Sequence, residues 1–218
     1  MDERDMTCSL VIVTSVINYA NAPLSYSKER SIFSPYERAL QTIQTIQSVR
    51  RYIPDVLICL IEGGHEERLP LAIKDKVDTY LYLGHNSLVR WAVDSPHKGL
   101  GEAAMLVYAA KYLNRNGAFF YKISGRYQLN SLFDILEWRR SGFTFKADRG
   151  GFSTRFYGFS KDCFNDWLRT LWLCIPFLFT RRSIESVLPW FVPSVKVHTC
   201  SQIGVEGQIG PYGLRFQE

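Results

Sequence analysis

The chain is predicted to be an α/β protein: a single domain with a mainly parallel central sheet flanked by helices. Three observations carry that prediction. Short apolar runs rich in Val, Ile, Phe and Tyr recur along the chain; stretches of helical length and helical spacing separate them; Gly, Pro and Asn mark the junctions. Strands and helices alternating in this way build a parallel sheet with helices on its faces. The 218 residues, 46% of them hydrophobic, suffice for one packed core.

"SLVIVTSV" (9–16) is a β-branched run and reads as the first strand. In "SPYERALQTIQTIQSVRRYIP" (34–54), Ser34 as N-cap, Pro35 at the first helical position and Glu37 three residues past the cap form a capping box. Leu40, Ile43, Ile46 and Val49 predict the apolar face of that helix, and Pro54 its end. "VLICLIEGG" (56–64) is a second buried strand, with Cys59 as a small core residue. "DTYLYLGHN" (78–86) is a shorter third strand. "GLGEAAMLVYAAKYLNRNG" (99–117) is a helix stopped at Asn116 and Gly117. "AFFYKIS" (118–124) is a fourth strand, and "NSLFDILEWRRSG" (130–142) reads as a helix capped by Asn130 or Ser131. "FTFKAD" (143–148) and "STRFYGFS" (153–160) read as neighbouring strands joined by a Gly150-Gly151 turn, followed by a helical stretch from Arg182 to Phe191 and a Gly-rich tail.

The formal charge is +5, and the stretch from Arg139 to Arg182 holds nine Lys/Arg against three Asp. Such a face suits phosphate or an anionic membrane surface, or is simply solvated. No nucleic-acid-binding motif is present, and the aromatics fall mostly on predicted core faces, so nucleic acid is not expected as a partner. The five cysteines have neither disulfide-framework nor zinc spacing. "MDERDMTCSLVIVT" opens acidic rather than basic, so no signal peptide is read and a cytoplasmic location is expected. In "WLRTLWLCIPFLFTRR" (167–182) the apolar run contains Pro176, lies between Arg169 and Arg181, and is too short to span a bilayer. It is expected to be buried in the core or to lie peripherally on a membrane.

In open α/β sheets, ligands bind beyond the carboxyl ends of the strands. That rule selects Thr14, Ser15 and Asn18 after the first strand, Glu62 after the second, the stretch from Asp78 to Asn86 at the third, and Lys122, Ser124, Gly125, Arg126 and Tyr127 after the fourth. Lys122 and Arg126 supply charge, Arg126 adds a planar fork for two oxygens, and Gly125 offers φ > 0 and close backbone approach. The set suits a diphosphate or a carboxylate. Alternatively, the two cations pair with Glu62 or Glu102 and merely close the end of the sheet. In "HKGLGEAAM" (97–105), Lys98 and Glu102 stand at a helix N-terminus, where free N–H groups favour anions, or where Glu102 only complements the dipole. The P-loop, G-x-G-x-x-G and G-x-S-x-G patterns are absent, and the four histidines have no metal spacing.

The order of "SPYERALQTIQTIQSVRRYIPDVLICLIEGG", "KGLGEAAMLVYAAKYL", "FFYKISGRYQL", "STRFYGFSK", "SIESVL" and "GVEGQIGPYG" resembles a group of bacterial and viral glycosyltransferases of the nucleotide-diphospho-sugar transferase (GT-A) superfamily. The likeness runs over residues 9–213. It implies a GT-A-like, Rossmann-like fold with a nucleotide-binding half (about 9–127) and an acceptor half (about 128–218). It also implies sugar transfer from a nucleotide-sugar donor to a glycan, lipid-linked or protein acceptor, as in polysaccharide biosynthesis. Thr14, Ser15 and Asn18 would contact base and ribose, and Glu185, Glu102, Asp148 or Glu206 would serve as the base.

The superfamily's metal-binding Asp-x-Asp would follow the strand ending in Lys122-Ile123-Ser124-Gly125-Arg126-Tyr127, and this chain has none there or elsewhere. The expectation is therefore metal-independent transfer, with Lys122, Arg126 and Lys98 facing the leaving diphosphate. The alternative is Mn²⁺ or Mg²⁺ held by Asp78, Asp148 and Glu206. Two other readings fit the same fold: a non-catalytic nucleotide- or glycan-binding module, and a nucleotidyltransferase.

Overall fold

A computed structural model describes residues 8–20, 22–67, 71–148, 150–180 and 182–218, with backbone only at 71 and 72. The β-branched first run forms β1 (Ser9–Ser15). Beside it lie β2 (Val56–Glu62), β3 (Thr79–Tyr82) and β4 (Phe119–Ser124), all parallel, in the order β3-β2-β1-β4. The sheet then changes sense. β8 (Phe156–Ser160) runs antiparallel to β4 and to β6 (Phe143–Asp148), with Phe143 opposite Phe159. The short β7 (Gly151–Phe152) folds back on β6, and β9 (Val197–Cys200) runs parallel to it. The two strands expected around the Gly150-Gly151 turn are thus neighbours, and Gly150 has φ +85.

Alternation along the central strands explains why both faces are apolar. Leu10 and Ile12 of β1 and Cys59 and Ile61 of β2 join one core. It is roofed by α3 (Ser87–Asp94), α4 (Lys98–Ala109), α6 (Phe164–Leu178) and α7 (Ile184–Phe191). Val11, Val13, Ile58 and Leu60 point the other way, toward α1 (Pro35–Tyr52). The capping box of α1 is formed as expected, with the Ser34 hydroxyl accepting from the Glu37 N–H and Glu37 accepting from the Ser34 N–H. Its buried face matches the expected one in part: Ile46 and Val49 are buried and Ile43 packs half-buried against the core. Leu40 is exposed, and the contact is made by Ala39, Thr42, Thr45, Ile46 and Val49. The threonines fit because each hydroxyl bonds the carbonyl four residues back, which lets α1 approach the sheet closely. A single helical turn, α2 (Leu71–Lys74), precedes β3.

The segment after β4 differs from expectation. No helix begins at Asn130 or Ser131. The chain turns at Gly125-Arg126 into β5 (Tyr127–Leu129), which joins β10 (Val205–Gln208) and β11 (Arg215–Gln217) in a second, antiparallel sheet. Asn130 caps only a turn, through the Leu132 N–H, and the helix α5 (Ile135–Trp138) is one turn long with Asp134 as its cap. Along 167–182 the core reading holds for one face only. Trp167, Leu171, Cys174 and Leu178 are buried, while Trp172, Leu173, Phe177 and Phe179 are exposed. Among the described residues no helix is long and apolar enough to cross a membrane.

Candidate functional site

Two adjoining cavities open at the carboxyl ends of β1 and β4. The first, of about 100 Å³, is walled by Thr14 and Ser15 of β1, Gly125, Tyr19 and Arg38. The second, of about 370 Å³, lies between the N-termini of α4 and α7 and the rim of β6, against Tyr26, Tyr127, Asp148, Thr154, Arg155 and Glu185. Lys98, Glu102, Ser124 and Arg126 line both, so they form the shared wall.

Three of the expected residues lie elsewhere. Asn18 lines neither cavity, and its carbonyl accepts from the His65 N–H at 2.7 Å. Glu62 is buried beneath the site, where one oxygen accepts from the Ile17 and Gly64 N–H groups at 2.9 and 2.7 Å. Burial raises its pKa. Lys122 is fully enclosed. Its ammonium donates to Glu102, to the Ser124 hydroxyl at 2.9 Å and to the Thr154 carbonyl at 2.8 Å, so all three N–H groups are used within the protein. The pairing of Lys122 with Glu102, open as an alternative in the sequence, is thus formed, and it ties α4 to β4 below the shared wall.

Arg126 is in the opposite condition. It is 8% exposed, its Nε is buried without a partner, and its guanidinium has no hydrogen bond or carboxylate among the described residues. It lies 5.0 Å over the Tyr127 ring. Arg38 reaches the same place from α1, with a buried, unpartnered Nε and only long contacts to Gln41 and the Val16 carbonyl. Burial, and then Arg126, bring its pKa down to about 10. Lys98, first residue of α4, completes the group. Its ammonium is open to the cavity, without a hydrogen bond among the described residues, but hemmed in by the walls. That enclosure, and after it Arg126, lower its pKa well below the lysine range. His97 gives α4 no side-chain cap, so the first N–H groups of this helix face the same space.

Gly125 matters for space rather than for a left-handed φ. Its φ is not positive, but a Cβ would meet the Thr42 hydroxyl at 3.1 Å and the Thr14 carbonyl at 3.2 Å. The turn is stitched there by the Gly125 N–H on the Thr14 carbonyl and by the Thr42 hydroxyl, whose one proton lies between the Arg38 and Gly125 carbonyls and whose oxygen can accept from the Ser15 hydroxyl.

The carboxylates differ in availability. Glu102 is held by Lys122. Asp148 stands on the rim, 3.9 Å from Arg155, whose main partner is Glu218 at 2.8 Å. Among the described residues Glu185 accepts one bond, from the Thr154 hydroxyl at 2.9 Å, and it faces the second cavity. Arg181, one helical turn before Glu185 in the sequence and so an alternative partner for it, lies outside the described residues. The carboxylates considered for a metal are dispersed. Asp78 is at the amino end of β3, bonded to Arg50 and the Ile58 N–H, and Glu206 is on β10. Among the described residues no three His, Cys, Asp or Glu side chains are grouped to hold an ion, so Asp78, Asp148 and Glu206 do not form one donor set.

Arg38, Tyr19 and Tyr26 were not singled out from the sequence. Arg38 follows a capping box on a polar helix surface, and Tyr19 and Tyr26 lie in an irregular segment; no motif marks them. Arg30 roofs the first cavity by donating to the carbonyls of Ala22, Val93, Asp94 and Ser95, and Tyr19 donates to those of Ser31 and Phe33.

No family model and no curated protein matches the sequence. Solved structures do match in three dimensions. The galactosyltransferase LgtC, in complex with donor and acceptor sugar analogues, aligns with a TM-score of 0.55 at 9% identity, over 88% of this chain and 73% of that one. A 4-diphosphocytidyl-2C-methyl-D-erythritol synthase from Anaerococcus prevotii aligns at 0.47 and 12% identity, over 100% and 94%. The β3-β2-β1-β4 parallel core, its antiparallel extension and the likeness to LgtC show that the chain has a GT-A-like fold.

Proposed function

We propose that the protein is a glycosyltransferase that moves a sugar from a nucleotide-diphospho-sugar to a hydroxyl of a glycan, lipid-linked or protein acceptor, without a metal. One observation carries the reading: Arg126 holds a buried guanidinium that, among the described residues, makes no ion pair or hydrogen bond, facing Lys98 and Arg38 across one cavity. Uncompensated buried cations are costly, and an anion that joins them removes that cost. A diphosphate spanning both cavities would meet Arg38 and Arg126 from one side and Lys98 with the α4 N-terminus from the other. The base and ribose would fill the first cavity against Tyr19, Thr14 and Ser15, and residues 9–127 would then be the nucleotide-binding half.

In an inverting transfer the acceptor oxygen attacks the anomeric carbon, and the bond from that carbon to the phosphate oxygen breaks. The nucleoside diphosphate leaves with the electron pair, and the acceptor proton passes to a carboxylate. Glu185 suits that role best, because among the described residues a single hydroxyl holds it whereas Lys122 occupies Glu102; Asp148 stands further out on the acceptor side. Preformed cations around the leaving group supply the stabilisation that an ion gives in other transferases.

Thermal unfolding against nucleoside diphosphates and nucleotide sugars, in chelator, tests the reading. Ligand at 100 times its Kd should add about 2.7 kcal/mol of stability. Arg126→Ala should weaken binding about 10–150-fold, the worth of hydrogen bonds to a charged group. Release of free nucleoside diphosphate supports transfer. Pyrophosphate would indicate a nucleotidyltransferase, and binding without turnover a binding module. A shift that requires manganese would overturn the metal-free mechanism.

A further inference from the structure

Three of the five tryptophans stand on the surface: Trp91 at 57%, Trp172 at 58% and Trp190 at 50% exposure. They are not scattered. Along α6 the outer positions are Arg169, Trp172, Leu173, Pro176 and Phe177, the helical spacing of one continuous stripe. Phe177 packs edge-on against Trp190 of α7 at 5.5 Å, and Phe179 lies 5.6 Å from Trp91 of α3. Arg182 covers the Trp190 ring at 4.9 Å. Between Trp167 and Val192 the only carboxylate is Glu185, which turns inward to Thr154. The result is a broad aromatic face with Arg169 and Arg182 on its rim; the one outward acid of α6, Asp166 in its first turn, lies before the stripe and is taken by Lys196 at 2.7 Å.

We propose that this face seats on an anionic bilayer, with the tryptophans at the headgroup level and Arg169 and Arg182 on lipid phosphates. Amphipathic aromatic rings beside cations are the composition that favours the membrane interface; the bordering acids Asp94 and Asp166 are engaged by His65 and Lys196, whereas Arg169 and Arg182 have no carboxylate partner among the described residues and are left for lipid phosphate. A second copy is a poor occupant. A two-fold contact centred here would set cations against their own copies. The face is continuous with the site: Phe179 and Trp91 line an open depression with His97, and His97 and Arg182 line the second cavity. A lipid-linked acceptor in that bilayer would meet Glu185 with its head group. This handover rests on the transferase reading; the docking does not.

Sedimentation of the full chain with phosphatidylglycerol–phosphatidylcholine vesicles, and with phosphatidylcholine alone, tests it, with tryptophan emission as a second readout. The expected result is binding to the anionic vesicles with a blue shift, weakened by salt. Trp172→Ser with Trp190→Ser should lower vesicle affinity by at least about tenfold, and Arg169→Glu should also weaken it, with the unfolding midpoint and nucleotide-induced shift unchanged. Absence of vesicle binding overturns the proposal, as does undiminished binding in the tryptophan variant. A wild-type dimer that the tryptophan replacements dissolve would give the face to a second copy and also overturn it. Vesicle binding without any nucleotide shift would sink the transferase reading alone.

Discussion

Lys122 and Arg126 are four residues apart, yet their surroundings give them different work. Lys122 is spent on Glu102, so Lys122→Ala strands a carboxylate that is nearly buried. The expected loss is about 3–5 kcal/mol in chemical denaturation, with part of it restored in Lys122→Met/Glu102→Gln, where no charge remains unpaired. Lys98 is instead a pH-dependent group. Its folded pKa lies below its unfolded value, so below the usual 10.5 the unfolded chain binds the proton more readily. The lysine therefore costs stability at low pH, and that cost is relieved as pH rises from the depressed folded pKa toward 10.5. Diphosphate binding runs the other way: affinity should fall as pH rises through the depressed value. Titrating nucleoside diphosphate binding across pH should show that decline in wild type, and a flatter profile in Lys98→Met. Only some of this residue-level division was legible in the sequence. The cluster at 122–127 could be located by the strand-end rule, but the partner of Lys122 sits on α4, twenty residues away, and nothing local marks which of two cations is already paired.

The regular elements were readable where local chemistry determines them. β1, β2 and β4 are continuous apolar runs because both faces are covered, and α1 announces itself through Ser34, Pro35 and Glu37. β5 was not readable, because what stabilises it is pairing with β10, with Leu129 opposite Val205, and no short-range pattern encodes so distant a partner. Two elements can be tested directly. At Gly151 a Cβ would fall 2.3 Å from the Glu185 carbonyl, so β7 and the first turn of α7 touch backbone to backbone. Gly151→Ala should push α7 outward and lower transfer rate more than nucleotide affinity, since Glu185 lies on α7 whereas Arg38, Lys98 and Arg126 do not; comparing kcat with the Kd for nucleotide checks this. Arg30 gathers four backbone carbonyls from two segments. Arg30→Ala should cost about 2–3 kcal/mol, the worth of losing charged hydrogen bonds, and should weaken nucleotide binding by loosening the roof. Calorimetry of unfolding and of binding would measure both.

At the scale of the molecule, the mainly parallel sheet could be inferred from alternation alone, but its change of sense at β8 could not, and that change creates the second cavity. It turns β6 and β7 back across the carboxyl ends of the parallel strands, bringing Asp148 and Thr154 opposite α4. The shared wall between the two cavities has a consequence in linkage. Whatever occupies the first changes the charge balance at Arg126 and Lys98, which the occupant of the second also feels. The two affinities are therefore coupled, and thermodynamics requires the coupling to be reciprocal. The factor by which donor changes acceptor affinity must equal the factor by which acceptor changes donor affinity. For an anionic acceptor head group that factor should oppose co-occupancy, and for a neutral one it should lie near one, so its departure from one, measured by calorimetry, reports the acceptor's charge before its structure is known.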